Sequence, residues 1–281
     1  MTQDIELAIK QAAQAVSQAQ AMIILAGAGM GVDSGLPDFR GKEGFWKAYP
    51  MLEKSGRKFT DMANPQAFED IPNLAWGFYG HRLNLYRQTQ PHAGFDILKH
   101  WAQAMPEGYF VYTSNVDGQF QKAGFEVNRI YECHGSIHYL QTLNGRGELL
   151  AADGFEIDVD TTTLRAKNLI HHPLTGDLLR PNILMFNDGD WNDSRSREQL
   201  ERYQAWLKPL RSRKSKHVVI IEMGAGSALP AVRMQSTQLR NNLNATYIQI
   251  NPQLGYKADI GIALGGLEAL TRMNTHLAPR L

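Results

Sequence analysis

The stretch Ala21-Met22-Ile23-Ile24-Leu25-Ala26 is continuously apolar, of strand length, and runs straight into Gly27-Ala28-Gly29. A strand that is polar on neither face is covered on both, as in a parallel sheet sandwiched by helices. This segment therefore predicts a central parallel strand stopping at a glycine loop. Working outward, residues 4 to 20 place Ile5, Ile9, Ala12, Ala13 and Val16 at helical spacing among Gln, Lys and Ser, which predicts a helix laying one apolar stripe on that sheet. Further strands are expected at Tyr109 to Tyr112, Ile183 to Phe186, Val218 to Glu222 and Thr246 to Asn251, with helical patterns such as Leu74 to Arg87 and Ser194 to Leu207 between them. Strand and helix alternate, so the fold class is α/β, a parallel sheet with helices on both faces.

Two stretches interrupt the alternation. Gly41 to Phe68 is rich in Gly, Lys, Pro and aromatics and reads as a long loop with short helical pieces, a place where functional lids occur. Residues 140 to 180 carry polar runs such as Thr161-Thr162-Thr163 and turn formers such as Asn144-Gly145, and read as a small appended module. The expected division is a nucleotide-binding core of about residues 1–40, 81–139 and 181–281, with the module at about 41–80 and 140–180. The run Arg211 to Lys216 reads as a solvated connection before a strand.

With 43% hydrophobic and 20% charged residues the chain of 281 is not a disordered one, and 29 Lys+Arg against 28 Asp+Glu give a net charge of +1. Bulk electrostatics therefore draws it neither to nucleic acid nor to anionic membrane. A single cysteine, Cys133, excludes an internal disulfide framework and a metal site built on several thiolates. No apolar run reaches the roughly 18 to 20 residues of a bilayer span, and the N-terminus shows no signal-peptide pattern, so the expected setting is cytoplasmic. Composition leaves the oligomeric state open.

Backbone amides of Gly27-Ala28-Gly29-Met30-Gly31, freed of side chains, suit a pyrophosphate. A dehydrogenase fingerprint would need a small third residue at Val32 and an acid about 20 positions on; the chain instead continues Asp33-Ser34-Gly35-Leu36-Pro37-Asp38-Phe39-Arg40-Gly41. Hydride transfer is disfavoured. Taken singly, the other motifs stay ambiguous. Asn115-Val116-Asp117-Gly118 also fits a strand-end turn, Asp38-Phe39-Arg40 a capped loop, Gly224-Ala225-Gly226-Ser227 a strand-to-helix turn capped by Ser227, and His134 a hydrogen-bonded structural residue beside Glu132.

Taken in order they resemble one family. Gly27-Ala28-Gly29 with Ser34 to Gly41 resembles the signature of the sirtuins, NAD-dependent protein deacylases; Thr113 to Gly118 is similar to their Thr-Gln-Asn-Ile/Val-Asp-Gly segment and Glu132-Cys133-His134-Gly135 to their catalytic Glu-Leu-His-Gly. Leu179-Arg180-Pro181, Gly224-Ala225-Gly226-Ser227 and Ile250-Asn251 resemble the Leu-Arg-Pro strand, the Gly-Thr-Ser loop and the Ile-Asn strand end, so the likeness spans about residues 21 to 255. The resemblance implies a Rossmann-type core with NAD as cofactor, an acyl-lysine protein or peptide as partner, and acyl transfer to ADP-ribose with release of nicotinamide. It implies His134 as general base, Asn115 and Asp117 at the ribose, Ser114 beside them, Asp38 and Arg40 orienting ribose and phosphates, Phe39 covering the nicotinamide, and Gly27, Ala28, Gly29, Gly224, Gly226, Ser227 and Asn251 lining the cofactor site. An imidazole suits the base because its proton affinity lies near neutral pH.

Departures from the family are informative. Its zinc ribbon carries two Cys-x-x-Cys pairs; here Leu140-Gln141-Thr142 and His172 with Thr175 stand in those places, so no metal is expected despite the neighbouring His171 and His172. Ser114 replaces the usual Gln, Asn187-Asp188 the usual Gly-Glu, and Ala225-Gly226 loses a hydroxyl donor. Tyr79 and Arg82, three apart on a predicted helix, share a face on which they suit an acyl carboxylate, like the Tyr-x-x-Arg pair of desuccinylating sirtuins; a half-buried Tyr beside a solvated Arg fits the spacing equally. Gly80 in that helix signals a close backbone approach. Two other functions compete: ADP-ribosyl transfer or NAD hydrolysis on the same site, disfavoured by the retained His134, and a non-catalytic NAD or ADP-ribose sensor, disfavoured by Asn115, Asp117 and His134 together.

Overall fold

A computed structural model describes residues 2–37, 49–54, 56–212, 217–226, 230–255 and 258–277. Its strands are β1 Ala21–Ala26, β2 Tyr109–Thr113, β3 Ile130–Glu132, β4 Gly135–Thr142, β5 Leu150–Ala151, β6 Val159–Asp160, β7 Arg165–Ala166, β8 Leu179–Ile183, β9 Val218–Met223, β10 Thr246–Ile250 and β11 Ile260–Ile262. The long helices are α1 Thr2–Gln18, α2 Pro72–Gln88, α3 Ala93–Gln103, α4 Ser194–Ser212, α5 Ala231–Leu243 and α6 Gly266–Leu277. No described helix is long and apolar enough to cross a membrane.

Six strands form one all-parallel sheet in the order β11-β10-β9-β1-β2-β3. All six residues of β1 are buried, and the strand's period of two divides them between two cores. Met22, Ile24 and Ala26 pack with Ile9 and Val16 of α1, Leu98 and Trp101 of α3 and Met273 of α6. Ala21, Ile23 and Leu25 pack with Tyr203 and Leu207 of α4 and Leu239 of α5. The chain leaves β1 toward β2 on one side and later returns to β9 on the other, so the strand order reverses between β1 and β9. At such a switch point the loops leaving the carboxyl ends diverge and open a crevice.

The appended region has its own core. β4 pairs antiparallel with β5 and β8, β6 with β7, and Trp76, Phe78, Tyr79, Ile137, Leu140, Ile157, Leu164 and Leu179 are buried together. Gly80 of α2 is needed where this module crosses the helix, since a Cβ there would lie 2.6 Å from Ile157 Cγ1. Among the described residues between Tyr49 and Asp70 the chain forms only the short helices Pro50–Lys54, Phe59–Met62 and Gln66–Asp70.

One strand is displaced from its expected place. The sequence predicts Ile183 to Phe186; the strand is Leu179–Ile183, antiparallel to β4 and outside the parallel sheet. Its apolar pattern misleads because Arg180 and Asn182 are buried with partners supplied: Asp188 for the first, Gln141 Oε1 and the Asn192 carbonyl for the second. Residues 140 to 180, polar in sequence, likewise contribute Leu140, Ala152, Ile157, Leu164, Ala166, Ile170 and Leu179 to a core. The segment 213–216 of the basic run lies outside the described residues.

Candidate active site

A cleft of about 680 Å³ opens at the switch point, lined by Gly27, Ala28, Gly29, Ser114, Gly224, Gly226, Asn251 and Arg233 among others. The glycines serve the loops before they serve a ligand. A Cβ on Gly27 would sit 2.6 Å from Gly224 O, one on Gly29 2.7 Å from Gly224 Cα, and Gly224 itself has φ +59° with Met30 N 2.2 Å from a built Cβ. The loops after β1 and β9 touch backbone to backbone, a closer reason for Gly27 and Gly29 than the pyrophosphate approach the sequence suggests. Among the described residues nothing lies within 4 Å of a Cβ placed on Gly226. A cradle of this kind, unobstructed there by any described residue and rich in main-chain groups, fits a dinucleotide phosphate.

Asn115 follows β2 and is fixed from two sides: Thr113 Oγ1 accepts its amide N–H at 3.0 Å, and its Nδ2 donates to Gly27 O at 2.9 Å. Asp117 Oδ1 accepts the Gln119 amide at 2.9 Å, and its main-chain oxygen accepts from His138 Nε2 at 2.9 Å. Both side chains line a small pocket with Ala28, Leu36, Pro37, Arg82, Tyr86 and Val116. Thus Asn115 and Asp117 do occupy a strand-end turn, and that turn also faces a cavity. Ser114 lines the cleft, its amide donating to Ala26 O at 3.1 Å.

His134 sits at the start of β4, where its carbonyl accepts Leu184 N at 3.0 Å. Gly135 after it is obligatory: φ is +76° and a Cβ would meet Asn182 O at 2.1 Å. His134 shares a cavity of about 180 Å³ with Tyr79, Arg82, Phe59, Ala63, Val116 and residues 183 to 186. Glu132 is turned to other partners, Arg195 Nη2 at 2.5 Å and Gln199 Nε2 at 3.2 Å.

Tyr79 and Arg82 are both buried. Desolvation pushes the Tyr79 phenol up to about 12, against a lowering by Arg82, so it acts as a neutral donor. Arg82 donates through Nε and Nη2 to the Tyr86 hydroxyl at 3.2 and 3.0 Å and lies 5.3 to 5.6 Å from the centroids of Phe78, Tyr79 and Tyr86. The structure thus departs from a solvated Arg. Sequence reading missed Tyr86, although a residue four beyond Arg82 on a helix shares its face. It also missed the apolar wall of Phe59, Ala63 and Met185, for which spacing gave no signal.

Asn187, in the place of the family's Gly, has φ +57°, a conformation Asn tolerates, and Asp188 in the place of Glu forms a bidentate pair with Arg180. These two departures preserve a turn. In the zinc-ribbon places the donors do not suit a metal. His172 Nδ1 accepts the amides of Leu174 and Thr175 at 3.2 Å each, Thr175 Oγ1 donates to Asp177 at 2.6 Å, and His171 Nδ1 bonds Gly176 O at 3.0 Å. Among the described residues no group of three His, Cys, Asp or Glu is placed to hold a metal ion. Asp38, Phe39, Arg40 and Ser227 lie outside the described residues.

The sequence profile of the Sir2 family matches residues 27–204, well over half of the chain, a span that includes Asn115, Asp117 and His134. The chain belongs to the Sir2 family. Relatives of this Sir2-family chain include an NAD-dependent protein deacylase of Aquifex aeolicus, 29% identical over 232 residues that cover 83% of each chain. Another, from Leptospira interrogans serovar Lai, is 27% identical over 236 residues covering 83% of this chain and 82% of its own. Among solved structures, a Sir2 homolog–NAD complex superposes with a TM-score of 0.71 at 21% identity, covering 96% of this chain and 94% of that one. A Sir2–p53 peptide–NAD+ structure gives 0.68 at 17% identity, covering 96% and 99%. At these identities the structural likeness establishes the shared Sir2 fold.

Proposed function

We propose that this Sir2-family chain is an NAD-dependent protein-lysine deacylase, with NAD in the switch-point cleft and the acyl-lysine in the cavity of His134. The observation that carries this reading is continuity. Ala28 lines both the cleft and the small pocket of Asn115 and Asp117, and Val116 and Arg82 line both that pocket and the cavity of His134. A dinucleotide and an acyl chain entering from opposite ends would meet beside Asn115. The relatives' name as NAD-dependent protein deacylases supports the same assignment.

In the net reaction the nicotinamide–ribose bond and the lysine acyl amide break, water is consumed, and lysine, nicotinamide and an acyl ester of ADP-ribose are formed. NAD supplies the departing nicotinamide and the accepting ribose. Asn115, its Nδ2 committed to Gly27 O, has its carbonyl oxygen left for the ribose or a water. Asp117 orients hydroxyls on the same side, and His134 takes the proton of the ribose hydroxyl that accepts the acyl group. The cleft glycines and Asn251 hold the phosphates and the far ribose, and Phe59, Ala63 and Tyr79 form one wall of the His134 cavity. His134→Ala should abolish deacylation while nicotinamide exchange persists, and Asn115→Ala should suppress both. Unimpaired deacylation by His134→Ala would overturn the reading, and unimpaired exchange by Asn115→Ala would reduce Asn115 to a turn residue.

The acyl group is proposed to be acidic, succinyl or malonyl. Support comes from Arg82, a buried cation on the wall of the His134 cavity beside the neutral donor Tyr79. We also propose that the enzyme works without zinc, its module held by hydrogen bonds from α2. Trp76 Nε1 donates to Leu179 O at 2.8 Å, Asn84 Nδ2 to Ile157 O at 2.9 Å, and Arg87 to Phe155 O and Ala152 O at 3.1 and 2.6 Å. A chain with a single cysteine, Cys133, is in keeping with a cytoplasmic setting.

A further inference from the structure

Glu222 is a fully buried carboxylate on β9, a strand otherwise made of Val, Ile and Met. Taking a carboxylate out of water costs several kcal/mol unless it is paired and hydrogen-bonded, so its place in the sheet needs a use. It accepts from the Tyr247 hydroxyl at 2.6 Å and from Gln249 Nε2 at 2.7 Å, and its Oε1 stands 3.9 Å from Arg233 Nε. That Nε is buried with no hydrogen-bond partner, so Glu222 holds Arg233 by charge.

The ties continue outward to the wall of the cleft. Arg233 Nη2 donates to Ala225 O at 2.9 Å and reaches Gln253 O at 3.4 Å, joining the loop after β9 to the loop after β10. Asn251 Nδ2 donates to the same Ala225 O at 3.0 Å, Asn251 Oδ1 accepts Gln253 N at 3.0 Å, and Gln249 Oε1 accepts Gly255 N at 2.6 Å. Ala225, Asn251, Gln253 and Arg233 all line the cleft. Asn115 and Asp117 follow β2, whereas this bracket stands at β9 and β10, on the other side of β1. If the nicotinamide end lies at Asn115, the bracket faces the adenosine end.

We propose that Arg233, seated on Glu222, is a positioning residue for the adenosine half of the dinucleotide. It sets the spacing of the two loops that wall that end of the cleft. The inference rests on the reading of the cleft as the NAD site. A guanidinium suits the task because the two N–H bonds of its planar Nη2 point in fixed directions at the two carbonyls, which the freely rotating ammonium of a lysine does not reproduce.

The test measures ADP-ribose affinity by calorimetry, alongside steady-state kinetics of the full chain with NAD and an acyl-lysine peptide. Arg233→Met is expected to weaken ADP-ribose and raise KM for NAD about 10- to 150-fold, the range for losing charge-assisted hydrogen bonds. The kcat, the peptide KM and inhibition by free nicotinamide should stay near wild type. Glu222→Gln, which keeps the shape but not the charge, should shift the same two quantities in the same direction, and Arg233→Lys should restore part of the loss. Unchanged ADP-ribose affinity in Arg233→Met overturns the proposal, as does a loss spread equally over peptide KM, kcat and melting temperature. Wild-type protein that binds no ADP-ribose overturns the cleft assignment and the proposal with it.

Discussion

Replacing Asp188 with Asn removes the anion from an ion pair that has no contact with water. Arg180 Nη1 and Nη2 donate to its two carboxylate oxygens at 2.9 and 2.7 Å, both side chains are 0% exposed, and Met185 N donates to the same carboxylate at 3.2 Å. An Asn offers one acceptor and turns an amide N–H₂ toward a buried guanidinium. Breaking a buried pair from one side typically costs about 3 to 5 kcal/mol, because the remaining charge stays desolvated. At roughly 2.1 cal/mol/K per residue the 281-residue chain has an unfolding entropy near 0.6 kcal/mol/K, so the melting temperature should fall by about 5 to 8 °C. Urea denaturation followed by circular dichroism gives the free energy, and calorimetry the temperature. Arg180→Met with Asp188→Leu removes both charges and should be less damaging than Asp188→Asn alone. Since Leu184, Met185 and Phe186 wall the His134 cavity, Asp188→Asn should also raise the peptide KM more than the NAD KM. A loss below about 1 kcal/mol, the scale of an exposed pair, would refute the reasoning.

Arg82→Met should erase a preference for succinyl or malonyl over acetyl peptides of about 10- to 150-fold, the value of hydrogen bonds to a charged group, by lowering activity on the acidic acyl groups alone. A uniform loss on all peptides would contradict it. His92, the N-cap of α3, accepts Gly94 N at Nδ1 and meets Met30 O through Nε2; burial lowers its pKa below 6.5, against raising contributions from Met30 and Asp33. The unfolded chain therefore takes up a proton first, so this stability is intact above pH 6.5 and falls as pH drops through it. His92→Asn, which keeps a cap acceptor, should shrink the melting-temperature difference between pH 7.5 and 5.5; an unchanged difference would contradict this. Chelation with EDTA should leave melting temperature and activity unaltered, and a large drop with metal found by elemental analysis would restore His171 and His172 as ligands.

What the sequence made legible follows from which forces act locally. β1 was readable because a strand covered on both faces must be apolar throughout, and the glycines after it because tight loops exclude a Cβ. Tyr79 and Arg82 were readable because helical spacing alone places them together. β8 was misplaced because Arg180 and Asn182 look exposed until Asp188 and Gln141, 8 and 41 residues away, are brought to them. The core of residues 140 to 180 was hidden for the same reason, its apolar residues meeting α2 across long separations rather than repeating in sequence. Glu222 had no legible purpose within its own strand, since Tyr247, Gln249 and Arg233 come from elsewhere.

The most direct test of deacylation is mass spectrometry of purified protein incubated with NAD and acetyl-, succinyl- and malonyl-lysine peptides, reading peptide and nucleotide products together. The account predicts peptides losing the acyl mass, nicotinamide released in equal amount, and the acyl group recovered on ADP-ribose, fastest for the acidic acyl groups and absent in His134→Ala. Nicotinamide release with every peptide intact, leaving ADP-ribose free or attached to protein, would contradict it in favour of hydrolysis or ADP-ribosyl transfer, and no nicotinamide at all would leave a sensor.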